Sequence, residues 1–151
     1  MQTLRWWLRI VGVFYVLQFV LNAIVHAPIS TVGPQDALDL ASAGDPLAKF
    51  LVDTWVTFGL EIGAIGVALV VASRIPEQAK VLVWTIIAIE LARGIANDVY
   101  MIARGYDVTV FMIWIVIHTV VILTGLLALG RTGFVARVSD RGAVLQRTVT
   151  E

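Results

Sequence analysis

The sequence predicts an all-α fold, an integral membrane four-helix bundle with its N- and C-termini on the cytoplasmic side. The first observation is composition: 59% of the 151 residues are hydrophobic and 15% are charged, whereas soluble domains have about 45–50% and 25%. The second is that four apolar segments are long enough to cross about 30 Å of hydrocarbon. The third is that basic residues concentrate on one side of these segments, which sets their orientation.

The predicted spans cover residues 8–27, 50–73, 79–102 and 110–129. The apolar stretch of the first is longer than the 7–15 residues or so of a cleaved signal sequence, so we expect a retained helix. With their connections, the spans form one bundle over residues 1–131. The remaining segment, 132–151, is predicted to be a basic cytoplasmic tail.

The connections between the spans differ in length. A tight turn at 73–77 joins the second and third spans, so we expect them to be antiparallel neighbours. Gly59 and Gly63 form a GxxxG pair of the kind that allows close helix contact, which we expect to be with the third span. The exterior loop 28–49 is much longer, and it is either a lid or a packed cap.

Within that exterior loop, residues 34–41 are predicted to form a short interfacial helix beginning at Pro34, because proline suits a first helical turn. Asp45 and Pro46 have the chemistry of an N-cap followed by a first-turn residue. They therefore predict where the second spanning helix begins.

Basic residues follow the positive-inside pattern and determine the predicted topology. The N-terminus, the 73–80 connection and the tail together contain Arg5, Arg9, Arg74, Lys80, Arg131, Arg137, Arg141 and Arg147. The two exterior loops contain only Lys49 and Arg104. Both termini are therefore predicted to be cytoplasmic.

Polar residues inside the spans are the candidates for function, because an ionisable group at a helix centre costs about 2.5–3.5 kcal/mol on insertion scales. Glu90, Arg93 and Asn97 share one face at i, i+3, i+7 spacing. An unpaired guanidinium is untenable in hydrocarbon, so Arg93 is expected to pair with Glu90 or Glu61. The predicted ligand-binding residues of an outward-facing polar cavity are Glu61, Glu90, Arg93, Asp98, His118, Asn97, Asn22, Gln18 and Trp114.

These residues leave three functions open. The first is binding of a small amphipathic or cationic ligand, or of a partner subunit, in the outward-facing cavity. The second is a membrane enzyme or quinone-linked redox helper in which a midplane carboxyl and His118 transfer protons. The third is purely structural, with the same side chains acting as hydrogen bonds between helices. The expected partners are the lipid bilayer, a small amphipathic ligand or quinone, and further copies or subunits in a membrane complex.

The sequence also bears on cofactors and other partners. His26 and His118 differ in predicted depth by about 12 Å, which argues against a shared haem iron. No Glu-x-x-His pair is present for a di-metal centre, although a single cation bound by the acidic residues stays open. With no cysteine and a formal net charge of zero, zinc–thiolate sites, iron–sulfur clusters and nucleic-acid binding are excluded. We therefore expect no cofactor and no nucleic acid.

Three segments carry a family resemblance. Residues 4–12 (LRWWLRIVG), the block from Asp45-Pro46 through 50–59 (FLVDTWVTFG), and 113–119 (IWIVIHT) resemble the BphX-like family of small four-span bacterial membrane proteins. The resemblance implies a multi-pass protein of the bacterial plasma membrane. That family has no established activity, so it implies no catalytic residue. DoxX-like four-span proteins are similar in general shape alone.

Overall fold

The computed structural model describes residues 1–25 and 36–132, and within them it is helical, without strands. The elements are α1 (Gln2–Phe19), the π-helical turn π1 (Val20–Ile24), α2 (Ala37–Ser42), α3 (Pro46–Ala72), α4 (Lys80–Ile89), the π-helical turn π2 (Glu90–Ile95), α5 (Ala96–Ala103) and α6 (Val108–Gly130). His26 and most of the predicted tail lie outside the described residues.

Among the described residues, three helical stretches are long and apolar enough to cross a membrane: Gln2–Ile24, Pro46–Ala72 and Val108–Gly130. A fourth stretch runs without a break through α4, π2 and α5, which contain 10, 6 and 8 residues. It has the length of a span, but it carries Glu90, Arg93 and Asp98. The chain therefore has the helices of a membrane protein, and its ionisable residues are concentrated in the fourth stretch.

The start of α3 follows the predicted capping chemistry. Asp45 has extended backbone geometry, and its Oδ1 accepts a hydrogen bond of 2.8 Å from the backbone N–H of Ala48. Pro46 occupies the first turn, where its missing N–H needs no partner. The N-cap prediction is confirmed. The helix α2 (Ala37–Ser42) overlaps the loop helix predicted over 34–41, whose predicted start at Pro34 lies outside the described residues.

The glycines of α3 pack against α1, so the expected contact with the third span is wrong. A Cβ on Gly66 would lie 2.7 Å from the backbone oxygen of Gly12, and one on Gly63 would lie 2.8 Å from Cβ of Phe19. Gly59 meets Ala23 in the same way. The two backbones approach most closely where both helices lack a side chain, so the glycines select α1 as the partner.

The helices are arranged in the order α3, α1, α6 and then the stretch α4–π2–α5. Within the described residues, α3 makes few contacts with that stretch, so the expectation that the tight turn makes them close neighbours is also wrong. The turn only reverses the chain, whereas packing is decided by the glycine surface of α3 and by α6.

The end of the bundle that contains Met1 has an apolar core. Its fully buried apolar side chains are Leu4, Leu8, Leu69, Val83 and Ile86. Two polar contacts join helices here: the indole N–H of Trp7 donates to Oγ1 of Thr124 over 3.1 Å, and Nε of Arg9 donates over 3.3 Å to Oγ of Ser73, which is buried. The buried titratable groups lie further along the helices, towards the opposite end. We call that end, which contains the 104–107 turn, the loop end.

Candidate functional site

The π2 turn determines which residues of the fourth stretch face inward. A π turn has i to i+5 hydrogen bonds and so takes up about one residue more than an α turn. Two turns from Glu90 therefore take eight residues and reach Asp98, whereas two turns of a regular α-helix take about seven. Glu90 and Asp98 are accordingly buried, with 3% and 5% exposure. Arg93 and Asn97, which the regular spacing grouped with Glu90, are exposed.

Glu90 is the centre of the site, and both of its carboxyl oxygens are engaged. The hydroxyl of Tyr15, from α1, donates a hydrogen bond to Oε1 of Glu90. Nδ1 of His118, from α6, forms a hydrogen bond with Oε2. One buried carboxyl group therefore ties together three helices.

His118 connects this carboxyl group to a second one. Its Nε2 lies 3.5 Å from Oδ2 of Asp98. That oxygen is buried and has no hydrogen-bond partner among the described residues. A ring whose Nδ1–H is donated to Glu90 accepts a proton at Nε2 when neutral and donates one when protonated. We call Tyr15, Glu90, His118 and Asp98 the buried acid–base chain.

Gly94 makes room for the imidazole ring. A Cβ at this position would lie 2.6 Å from Cγ of His118, a separation that no packed side chain tolerates. The ring of Trp114, from the same helix as His118, lies 6.1 Å from the imidazole ring, centroid to centroid. The side chain of His118 is 20% exposed, compared with 3% for Glu90 and 7% for Asp98. It is therefore the most accessible of these three groups.

Glu61 and Arg93 form a separate ion pair. Nη1 of Arg93 lies 2.9 Å from Oε2 of Glu61, and the two side chains are 49% and 54% exposed, respectively. The guanidinium also lies over the ring of Phe58, with Cζ 4.2 Å from the centroid. Of the two partners expected for Arg93, the structure shows Glu61. This pair lies outside the buried acid–base chain.

The remaining predicted residues divide between two environments. Asn22 is buried in π1, and its Nδ2 donates to the backbone oxygen of Gln18 over 2.6 Å and to its Oε1 over 3.3 Å. Asn97 is exposed on the same side as Arg93. The structure thus brings Glu90, Asp98 and His118 together, with Trp114 beside the imidazole ring, and leaves the other candidates in separate groups. That any of them binds a ligand stays a prediction.

Tyr15 is the site residue that the sequence interpretation missed. It lies three residues before Gln18 and seven before Asn22, on the same helical face. That spacing was the available signal, because a tyrosine on a polar stripe is a titratable group with a hydroxyl to place. Its burial at 5% exposure fits this role.

A groove of about 650 Å³ lies at the loop end, between α2 and the first turns of α3. Its lining residues are Leu38, Ala41, Ser42, Gly44, Lys49, Val52 and Asp53. None of them belongs to the buried acid–base chain, whose members contact one another directly. In residues 1–25 and 36–132, no group of three or more His, Asp or Glu side chains is arranged to hold a metal ion.

Comparison with known proteins adds the family. The BphX-like family model matches residues 1–132. An uncharacterised BphX-like protein of Burkholderia cepacia is 32% identical, with the match covering 83% of this chain and 90% of the relative. An uncharacterised BphX-like protein of Paraburkholderia xenovorans strain LB400 gives the same values. No solved structure matches. The match covers all the helices described above, and the chain belongs to the BphX-like family.

Proposed function

We propose that this chain is a multi-pass protein of the bacterial plasma membrane whose buried acid–base chain takes up and releases a proton inside the bilayer. The observation that carries the proposal is the environment of Glu90. This carboxyl group is buried at 3% exposure and is contacted by Tyr15 and His118 from two other helices. Buried titratable groups that share protons are characteristic of proton-handling sites in membrane proteins.

A fourth span through Lys80–Ala103 is part of this proposal. The stretch is long enough, and the cost of inserting its charges is reduced because Glu90 and Asp98 face the bundle interior and Arg93 pairs with Glu61. Four spans place both termini on one side. The positive-inside rule then assigns that side to the cytoplasm and the loop end to the exterior.

Cysteine labelling tests this topology, and the natural chain has no cysteine to interfere. We expect Tyr106→Cys, in the 104–107 turn, to react with a membrane-impermeant thiol reagent in intact cells. Gln78→Cys, in the turn before α4, should react only after the cells are permeabilised. Labelling of both in intact cells would contradict the four-span arrangement.

The geometry supports proton transfer through His118. Histidine is the side chain whose ordinary titration falls nearest neutral pH, and here each ring nitrogen faces a carboxyl group. Moving a proton from Nδ1 to Glu90 follows a hydrogen bond that already exists, whereas transfer from Asp98 to Nε2 requires the 3.5 Å separation to shorten. Such positioned acid–base pairs are what general acid–base chemistry requires.

The orientation of the buried acid–base chain along the helices indicates what kind of process it serves. Asp98 lies eight residues, or about two helical turns, beyond Glu90 in the direction of the loop end, whereas the end containing Met1 is closed by fully buried side chains such as Leu4 and Leu8. Protons would reach mid-bilayer from one side without crossing. That suits a lipophilic proton-carrying substrate such as a quinone, whose reduction consumes protons.

A second candidate function is binding of a small amphipathic ligand or a partner subunit outside the buried acid–base chain. One observation favours it: Glu61, Arg93 and Asn97 are exposed on one side of the molecule. In this function the ion pair recognises the polar group of the bound molecule. The buried acid–base chain then only holds the helices together.

Infrared difference spectroscopy of the protein in lipid distinguishes the two. We expect a protonated-carboxyl band that appears and disappears between alkaline and acidic buffer. The band should be lost in Glu90→Gln and kept in Glu61→Gln, which changes a carboxyl outside the chain. If no titrating band depends on Glu90, the proposed function is wrong.

A calorimetric measurement addresses the substrate. Binding of a short-chain quinone analogue, measured in two buffers of different ionisation enthalpy, reports the protons exchanged per binding event. We expect buffer-dependent heats for the natural chain and buffer-independent heats for Glu90→Gln. Equal heats in both buffers for the natural chain would exclude this quinone as the substrate that exchanges the proton.

A further inference from the structure

The side of the molecule between α3 and the fourth stretch is open. On α3, exposed polar residues recur every four residues, and on the fourth stretch two more face the same opening. We call this the open polar face, and its members are Asp53, Thr57, Glu61, Arg93 and Asn97. Because α3 packs on α1 and the fourth stretch packs on α6, the described helices leave this face open, apart from α2, which lies beside Asp53.

An open ion pair is expensive at this position. Arg93 and Glu61 lie near the middle of their helices, and their side chains are 49% and 54% exposed. In water such exposure costs little, but in hydrocarbon both charges need a polar or protein surface against them. The ring of Phe58 covers only one side of the guanidinium. The face therefore needs an occupant.

We propose that the occupant is a second copy of this chain, related by a two-fold axis along the membrane normal. Such an axis keeps every residue at its own depth, so paired residues must lie at equal depth. Glu61 and Arg93 meet this condition, because their charged atoms are 2.9 Å apart. In the dimer, Glu61 of one copy faces Arg93 of the other, and four alternating charges are shielded from lipid.

Charge and side-chain size both favour a copy over other occupants. A ligand of a single sign would compensate one member of the pair and repel the other, whereas a second copy supplies both signs in the matching positions. Next to Arg93, small side chains are exposed at four-residue spacing: Ala88, Ala92 and Ala96. Small residues at this spacing let helices approach closely within membranes.

Disulfide crosslinking in native membranes tests the dimer without altering the ion pair. Ala92→Cys would place a single exposed thiol next to Arg93, at the border of the open polar face, in a chain that has no other cysteine. We expect oxidation to convert it to a covalent dimer several-fold more completely than Val116→Cys. Val116 is the control because it is 58% exposed on α6, away from the open polar face. Equal crosslinking of the two variants would overturn the proposal.

A charge-reversal experiment tests the ion pair itself, with Ala92→Cys in every chain. Copies carrying Glu61→Arg should repel each other, and so should copies carrying Arg93→Glu. When the two variants are co-expressed with different tags, they should recover a crosslinked heterodimer, because opposite charges then meet across the axis. If both single variants crosslink as well as the parent, or if the mixture recovers no heterodimer, the inference is wrong.

Discussion

At the scale of single residues, the site depends on how many partners Glu90 has. A buried carboxyl group without hydrogen bonds is costly, and here Tyr15 and His118 each satisfy one of its oxygens. Asp98 differs, because its buried Oδ2 has no hydrogen-bond partner among the described residues. The site therefore has one well-satisfied carboxyl group and one that is positioned to exchange a proton with the ring between them.

Removing the tyrosine hydroxyl tests the contact between α1 and Glu90. We expect Tyr15→Phe to lower the free energy of unfolding in mixed micelles by about 1 kcal/mol, since it deletes one hydrogen bond inside a membrane protein. Tyr100→Phe is the matched control, because Tyr100 is 59% exposed. Equal effects of the two substitutions would show that the Tyr15 hydroxyl has no special partner.

Filling the space at Gly94 tests whether the imidazole ring of His118 packs against this position. Because an added Cβ would lie 2.6 Å from Cγ of His118, Gly94→Ala should displace the ring and destabilise the protein by about 1–3 kcal/mol. Thermal unfolding in detergent measures this loss. At Gly130 an added Cβ meets nothing within 4 Å, so Gly130→Ala should have the same unfolding temperature as the unsubstituted protein. A harmless Gly94→Ala would mean that the ring is not packed there.

At the scale of elements, the π2 turn is the feature that assembles the site. It places Glu90, Gly94 and Asp98 on the buried face of one helix and turns Arg93 outward to Glu61. π turns are rare and are frequently found at functional sites. Here its physical effect is a change of register, because the extra residue rotates everything after it relative to everything before it.

This register effect predicts an unusual tolerance to deletion. Removing Leu91, which is 49% exposed in π2, would leave Glu90 and Asp98 seven residues apart, about two turns of a regular α-helix. The deletion should therefore yield folded, monodisperse protein. Deleting Val116 from the regular helix α6 leaves no π turn to absorb the change, so we expect aggregation on size-exclusion chromatography. Failure of the Leu91 deletion alone would contradict the register argument.

The close contact of α1 and α3 gives a second prediction for elements. An added Cβ at Gly66 would meet the backbone of Gly12 at 2.7 Å and that of Val16 at 2.9 Å, and backbone atoms cannot move aside as a side-chain tip can. Gly66→Ala should cost about 1–3 kcal/mol of unfolding free energy. Val67→Ile, at an exposed position on the same helix, should cost little. Reversed effects would mean that the glycine surface does not face α1.

At the scale of the whole molecule, local chemistry was predictable and helix pairing was not. Asp45 and Pro46 predicted the start of α3 because a cap depends only on neighbouring residues. The glycines predicted a close contact but not its partner, because any helix with small residues at the same depth could pack against them. The turn at 73–77 also misled, since a short connection constrains only the chain between two helices.

The candidate site was predictable to a similar degree. The cost of burying charge singled out Glu90, Asp98 and His118 among the candidate residues, and the structure brings these three together. The single polar cavity combined them with Glu61 and Arg93, because regular helical spacing puts Arg93 on the face of Glu90. A π turn leaves no plain mark in the sequence, so this division of the polar residues could only be read from the structure.

The most direct test of the central claim is the distance between His118 and Glu90 in a lipid bilayer. With His26→Gln, His118 is the single histidine of the chain, and solid-state NMR can measure the coupling of its Nδ1 to labelled glutamate carboxyl carbons. We predict a nitrogen–carbon distance of about 3–4 Å, as a direct hydrogen bond requires, which disappears in Glu90→Gln. If the His26→Gln protein shows no such coupling, or if adding Glu90→Gln leaves the coupling unchanged, the buried acid–base chain is contradicted.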